Sequence, residues 1–238
     1  MKILGLDTST LMTTCGVMED DNLIGEFSLA LDMSHSEGLV PMIKSVLDNL
    51  NLNINDMDGF AIAIGPGSFT GLRIGLATAK AFSHATNKPI VAVSSLQALA
   101  LNVVGHKVVV PMMDARRDRV FSAIYDLSQT DVKTLLKPNA IEVLDLIKIL
   151  QENNEDVYLL GDGANKYKEV FKKELGHRAR FLPGHLNLSR ASSVCTLGRQ
   201  RLLNGEYDNI YNLSPEYLRD SQAQRMKKKK ELSLWRLF

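Results

Sequence analysis

Residues 59–94 limit the fold of this 238-residue chain more than any other stretch. The apolar run Phe60-Ala61-Ile62-Ala63-Ile64 has β character, and Gly65-Pro66-Gly67 breaks it. A helical pattern then runs from about residue 70 to 86, and a second β run occupies 90–94. Many nucleotide-binding proteins cradle phosphate with a strand, a glycine turn and a helix, because backbone N–H groups and the helix dipole converge there.

The details of this turn argue against a phosphate site. A Walker A loop needs two glycines five apart, then Lys and Ser/Thr. Here Gly65 and Gly71 are six apart, and Leu72-Arg73 follow. The dinucleotide fingerprint also fails, since the glycine after Gly65-Pro66-Gly67 comes one position late. No Asp or Glu occurs in the 55 residues from 59 to 113, so no ribose carboxylate, magnesium aspartate or carboxylate base is at hand. Ser68 lacks the spacing of a nucleophile elbow; Ser68 or Thr70 is expected to cap the helix instead.

The small residues Gly71, Gly75, Ala79 and Ser83 recur every four positions, on one helical face. Such a stripe lets a neighbouring element approach closely. It admits two readings: packing on the chain's own sheet or on an earlier helix, or an intermolecular helix pair.

Around this unit the pattern is that of an α/β protein. Residues 2–6, 13–18 and 23–29 read as three antiparallel strands, parted by turn residues such as Asp20-Asp21-Asn22. Ser34-His35-Ser36-Glu37 forms a capping-box pattern for a helix over 34–50, with Leu39, Ile43, Val46, Leu47 and Leu50 apolar. Pro41 is expected to kink that helix or delay its start. Lys107–Asp114 then echoes Lys2–Asp7, a second strand follows at 120–125, and a strand-turn-helix recurs at 157–163. The offset, near 107 residues, points to two related halves, although strand-turn-strand patterns are common enough to leave duplication open. A helix over about 189–204 leads to Pro215-Glu216-Tyr217-Leu218-Arg219 and a basic tail.

Composition excludes several function classes. A formal net charge of +1 gives no global field toward nucleic acid or membrane. No run of 18 apolar residues occurs, the N-terminus is too short in apolar residues for a signal peptide, and the expected location is cytoplasmic. Two cysteines, Cys15 and Cys195, make no disulfide framework. The five histidines, at 35, 84, 106, 177 and 185, include no pair at helical metal-site spacing. Asp114–Arg119 reads as a charged hairpin turn, and Gly161-Asp162-Gly163 as a tight strand-to-helix turn. Residues 219–236 hold seven Lys/Arg against two acids. Arg219, Arg225, Lys227, Lys228, Lys229 and Lys230 are therefore candidate contacts for RNA phosphate or a partner.

At Gly65-Pro66-Gly67-Ser68-Phe69-Thr70-Gly71-Leu72-Arg73-Ile74-Gly75 the chain resembles the TsaB family. So do the N-terminal Ile3–Thr10, the stretch from His35 to Ile43, Asp114–Arg117 and Pro215–Arg219. The resemblance spans nearly the whole chain up to about residue 226. It implies an α/β fold of duplicated actin/Hsp70/sugar-kinase-like (ASKHA, ribonuclease-H-like) lobes, with mixed sheets flanked by helices. The lobes are expected at residues 1–104 and 105–188, with 189–225 returning toward the first lobe and 226–238 as a tail. In active relatives of that fold, glycine-rich hairpin turns hold nucleotide phosphates. Here those places carry Thr8-Ser9-Thr10 and Ala115-Arg116-Arg117, whose side chains obstruct close approach.

The resemblance thus implies a non-catalytic subunit, without metal or cofactor, of the bacterial tRNA threonylcarbamoyltransferase that modifies tRNAs reading ANN codons. Its implied partners are the catalytic sister subunit TsaD, the small ATPase TsaE, tRNA through the complex, and a second copy when alone. The pairing surface maps onto helices 34–50 and 70–86. That resolves the stripe toward the intermolecular reading, with Leu39, Ile43, Val46, Leu47, Gly71, Leu72, Gly75, Leu76 and Ala79 as contacts. On that reading Gly75→Arg leaves the chain folded but unable to pair. The alternative is an enzyme of its own, an ATP-dependent kinase or a glycoprotease-like metalloenzyme.

Overall fold

The structure is a computed structural model that describes residues 1–30, 35–129 and 131–218. Strands β1 (Lys2–Asp7), β2 (Met12–Glu19) and β3 (Asn22–Ala30) form an antiparallel meander, with Gly5 opposite Gly16 and a bulge between Val17 and Met18. Helix α1 (His35–Asn49) leads to β4 (Gly59–Ala63), which pairs in parallel with β1. Helix α2 (Phe69–Thr86) crosses to β5 (Ile90–Val93), parallel to β4. The sheet order is β3-β2-β1-β4-β5. α1 begins at His35 in spite of Pro41, which lies exposed inside it.

After a short α3 (Ser95–Ala100) the topology repeats. β6 (Val109–Asp114), β7 (Arg119–Asp126) and β8 (Lys133–Glu142) form a second meander, and α4 (Val143–Gln151) leads to β9 (Val157–Leu160). Two short helices, α5 (Asp162–Lys166) and α6 (Lys168–Leu175), lead to β10 (Ala179–Phe181). The second sheet is ordered β10-β9-β6-β7-β8, the first sheet's pairing scheme strand for strand. The echo of Lys2–Asp7 in Lys107–Asp114 is thus a repeat of topology as well as of sequence. β8 and α4 have no counterpart in the sequence reading, because Lys133–Glu142 carries Pro138 at a sheet edge and is mostly solvated.

Each sheet buries both faces. α1 and α2 lay Leu39, Ile43, Val46, Leu47, Leu76 and Ala79 on one face of the first sheet, against Leu4, Leu6, Phe60 and Ile62. The final helix α7 (Ala191–Leu203) covers the other face, packing Val194, Cys195 and Leu197 on Ile3, Ala61 and Val91. α4, α5 and α6 cover the second sheet's outer face, and α3 its inner one. Burial pushes the thiols of Cys15 and Cys195 up to about 12, so both behave as inert core groups.

α7 has no side-chain cap of its own. Glu26 of β3 supplies one across the sheet: its Oε1 accepts the Ser192 N–H at 2.9 Å and the Ser192 hydroxyl at 3.1 Å. Oε2 pairs with the Arg190 guanidinium at 2.8 Å, with the Glu26 side chain only 10% exposed. A carboxylate at a helix N-terminus, bonded to an N–H and a guanidinium, is a strong tether. Glu26→Ala should cost about 1–3 kcal/mol and lower the thermal midpoint by several degrees in a scan followed by circular dichroism.

Candidate functional site

The glycine loop is built against the β1–β2 turn. β4 ends at Ala63, and Gly65 follows with φ 130°, in the region that favours glycine. Gly65 and Ser95 exchange two bonds: the Ser95 N–H donates to the Gly65 carbonyl at 2.8 Å, and the Gly65 N–H to the Ser95 hydroxyl at 3.1 Å. Pro66 follows through a cis peptide bond. Ser68 caps α2, its hydroxyl accepting the Gly71 N–H at 3.2 Å.

The loop then grips the turn at residues 8–9. The Ser68 N–H donates to the Ser9 carbonyl at 2.7 Å, and the Thr8 hydroxyl donates to the Gly71 carbonyl at 2.7 Å. A Cβ at Gly71 would overlap the Thr8 carbonyl, and one at Gly75 the Thr8 hydroxyl. Thr8 and Ser9 are 0% and 2% exposed. The turn to which the resemblance assigns phosphate binding in active relatives is therefore stoppered by the chain itself.

This corrects the interface assignment. Leu39, Ile43, Val46, Leu47, Leu72, Leu76 and Ala79 are all 7% exposed or less, and Gly71 and Gly75 are buried against Thr8 and Ile62. The small stripe packs on the chain's own sheet, so an arginine at 75 cannot leave the fold intact. Residues two apart on a helix lie about 200° apart. The outward stripe of α2 is accordingly Arg73, Ala77, Ala81 and Ala85, all exposed. On α1, Val40 (50% exposed) and Pro41 face out. The same four-residue periodicity in the sequence carries this alanine-rich stripe on the face opposite the glycines.

Behind the turn sits a buried acid. Asp7 is 0% exposed; its Oδ1 accepts the Ser9 N–H at 2.7 Å, and its Oδ2 makes no well-formed bond among the described residues. Burial raises the Asp7 carboxyl above the usual aspartate range, while the Ser9 and Ser189 hydroxyls and the Ser9 N–H pull it back. The topological equivalent, Asp114, is more open. It accepts the Arg116 N–H at 2.9 Å and pairs with Lys166 at 2.8 Å. Its own N–H donates to Asp162, whose carboxyl is raised chiefly by burial. Arg116, Arg117 and Asp118 all take left-handed φ values, 61°, 55° and 56°, and form the expected charged hairpin tip.

A third element joins the loop from the far end of the chain. The Glu216 N–H donates to the Ile64 carbonyl at 2.8 Å. Tyr217 stacks on Phe69 with centroids 4.6 Å apart, Arg73 lies 4.0 Å over the Phe69 ring, and Arg73 Nε donates to the Tyr217 hydroxyl at 2.8 Å. The glycine motif and the Pro215–Tyr217 segment, about 150 positions apart, are thus one local unit. Arg219, Arg225 and Lys227, Lys228, Lys229 and Lys230 lie outside the described residues. Among the described residues no three His, Cys, Asp or Glu side chains cluster as a metal site, and no helix is long and apolar enough to cross a membrane.

Comparison with known proteins gives a consistent picture. Residues 30–227 match the family model described as TsaD: tRNA N6-adenosine threonylcarbamoyltransferase. The tRNA threonylcarbamoyladenosine biosynthesis protein TsaB of Bacillus subtilis (strain 168) is 29% identical over 227 residues, covering 94% of this chain and 96% of its own length. A crystal structure from Pseudomonas aeruginosa, described as an uncharacterized protein with similarity to peptidase YeaZ, superposes with a TM-score of 0.78 at 25% identity. The match covers 92% of this chain and 99% of that one. A ROK hexokinase from Thermus thermophilus shares the fold alone, with a TM-score of 0.50 at 12% identity over 85% of this chain and 100% of its own.

Two substitutions test the site as built. Gly71→Ala, ordinarily stabilising inside a helix, should here destabilise by about 1–3 kcal/mol in urea titration, because the new methyl must displace the Thr8 carbonyl. Asp7 has its folded pKa raised, so its contribution is full below the unfolded pKa and is lost as pH rises through the folded value. Asp7→Asn, which carries no charge to bury, should therefore raise the urea midpoint relative to wild type at pH 8 and much less at pH 4.

Proposed function

This chain belongs to the TsaB family, within the larger family of tRNA N6-adenosine threonylcarbamoyltransferases, and we propose that it is a non-catalytic subunit in tRNA threonylcarbamoyladenosine biosynthesis. Its fold is the duplicated actin/Hsp70/sugar-kinase-like one. In this reading the first lobe pairs with the catalytic sister subunit TsaD through the outer face of α1 and α2. The small ATPase TsaE joins the pair, tRNA is engaged through the complex, and the free chain uses the same face to form a homodimer.

One observation carries the subunit role. The Ser68 N–H and the Thr8 hydroxyl, which could serve a bound phosphate, are instead spent on Ser9 and Gly71 of the same chain. Gly67 and Gly71 admit this contact by lacking side chains. A loop closed in this way is a rigid brace for α2, and a rigid, flat helix pair is what a partner helix pair needs. The outward stripe suits that role: Ala77 and Ala81 let a partner helix approach closely, Val40 and Ile74 add apolar surface, and α2 bears no acidic residue.

The test targets the outer stripe, whose residues carry no core load. Ala77→Arg combined with Ala81→Arg should leave the thermal midpoint within about 1 °C, since surface changes of this kind cost little. The double variant should fail to co-elute with TsaD on gel filtration. Co-elution like that of wild type would overturn the assignment of this face.

A further inference from the structure

At the end of the first sheet where β1 and β5 begin, opposite the glycine loop, lies an open groove of about 900 Å³. It is lined by Met1, Asp58, the end of α2, the stretch to Ile90, and the irregular segment after α7. α2 separates it from the glycine loop by about 27 Å, the length of an 18-residue helix. No feature of the subunit role uses it.

Two aromatic rings stand at this groove with nothing stacked on them among the described residues. Tyr207 is 71% exposed and Tyr211 79%, both on the segment that runs from α7 back along β5. That segment is fixed there: the Asp208 N–H donates to the Ile90 carbonyl at 2.8 Å, and Ile210 and Leu213 pack into the core. The tyrosines are therefore held out on an anchored backbone.

The charges at the groove are uneven. Its two carboxylates are already engaged. Asp208 pairs with Arg201 at 2.9 Å and accepts the Ala92 N–H at 2.7 Å, and Asp58 accepts the Lys2 N–H at 2.7 Å. Lys88 and His84 line the groove without an ion pair among the described residues, and Lys80 extends the same edge one helical turn further along acid-free α2. Unpaired basic side chains beside free aromatic faces, with Asn87 also lining the groove, form the chemistry of an unpaired nucleotide site: bases stack and phosphates meet the basic groups.

We propose that this groove binds a single-stranded RNA segment, bases on Tyr207 and Tyr211 and backbone phosphate along Lys88, His84 and Lys80. The volume suits one or two nucleotides. Lys80 and His84 lie on the outward side of α2 beside the proposed pairing stripe, whereas Tyr207, Tyr211 and Lys88 lie off both α1 and α2, so substitutions at those three test the RNA site without touching the pairing residues.

The test uses the full chain, a fluorescein-labelled unstructured 12-nucleotide RNA and an unmodified tRNA transcript, read by anisotropy across a salt series. Tyr207→Ala with Tyr211→Ala should weaken 12-mer binding at least about tenfold, and Tyr207→Phe with Tyr211→Phe should retain it, because stacking needs only the ring. Lys88→Gln should lower the slope of log K against log salt by about 0.7. Both tyrosines are exposed, so an unchanged thermal midpoint separates lost binding from lost folding. Binding to the tRNA transcript alone would assign the contact to duplex shape and overturn the proposal. So would 12-mer binding that survives the alanine pair but vanishes when Lys227–Lys230 are changed to Gln, since the contact would then belong to the tail. Loss of TsaD binding with RNA affinity intact would give the groove to a protein, and absence of 12-mer binding by wild type would equally overturn it.

Discussion

The first half of this molecule depends on one backbone-to-backbone approach, where α2 meets the β1–β2 turn. At Gly71 the helix comes so close to Thr8 that a single methyl would overlap its carbonyl, and two hydrogen bonds of 2.7 Å seal the contact. Everything nearby is placed by that approach. It sets α2 on β1 and β4, which in turn decides that Leu72, Leu76 and Ala79 go inward and Ala77 and Ala81 outward. It also buries Thr8 and Ser9, which shuts Asp7 behind them and raises its carboxyl.

The same frame explains the long reach of the C-terminal segment. After α7 the chain leaves the far end of the sheet, bonds Ile90 through Asp208, and returns to bond Ile64 through Glu216. It thereby runs along β5, an edge strand whose unpaired groups would otherwise invite another chain. Tyr217 ends the run by stacking on Phe69 under Arg73. One strap therefore holds the glycine loop at one end and presents Tyr207 and Tyr211 at the other.

Much of this was legible in the sequence, and the misses have physical causes. The strands of the first lobe, α2 and its Ser68 cap follow from apolar runs and turn residues whose local preferences agree with the fold. The periodicity of α2 was read correctly as a stripe of small residues, but a stripe says only that something approaches. Whether Thr8 of the same chain or a foreign helix fills the space depends on contacts 63 positions apart, which periodicity does not carry. The Glu26 tether of α7 and the Tyr217 stack on Phe69 are long-range in the same way. β8 was missed for a different reason: an edge strand that packs only Leu136 and Ile141 on the core, five residues apart and with Pro138 between them, shows no alternation to read.

The duplication shows what the glycine motif is for. Both lobes use glycines where a helix leaves the strand beside the lobe's first strand, but the lengths differ. Five residues separate β4 from α2, whereas one separates β9 from α5. In the second lobe Gly161 therefore abuts the Met112 carbonyl, two residues before Asp114, and the β6–β7 turn stays open with Arg116 and Arg117 exposed. In the first lobe the longer connection reaches past Asp7 and closes over Thr8 and Ser9. The added Gly65-Pro66-Gly67-Ser68 thus acts as a lid built into the fold. Under that lid the β1–β2 turn becomes a brace for the helix beside it.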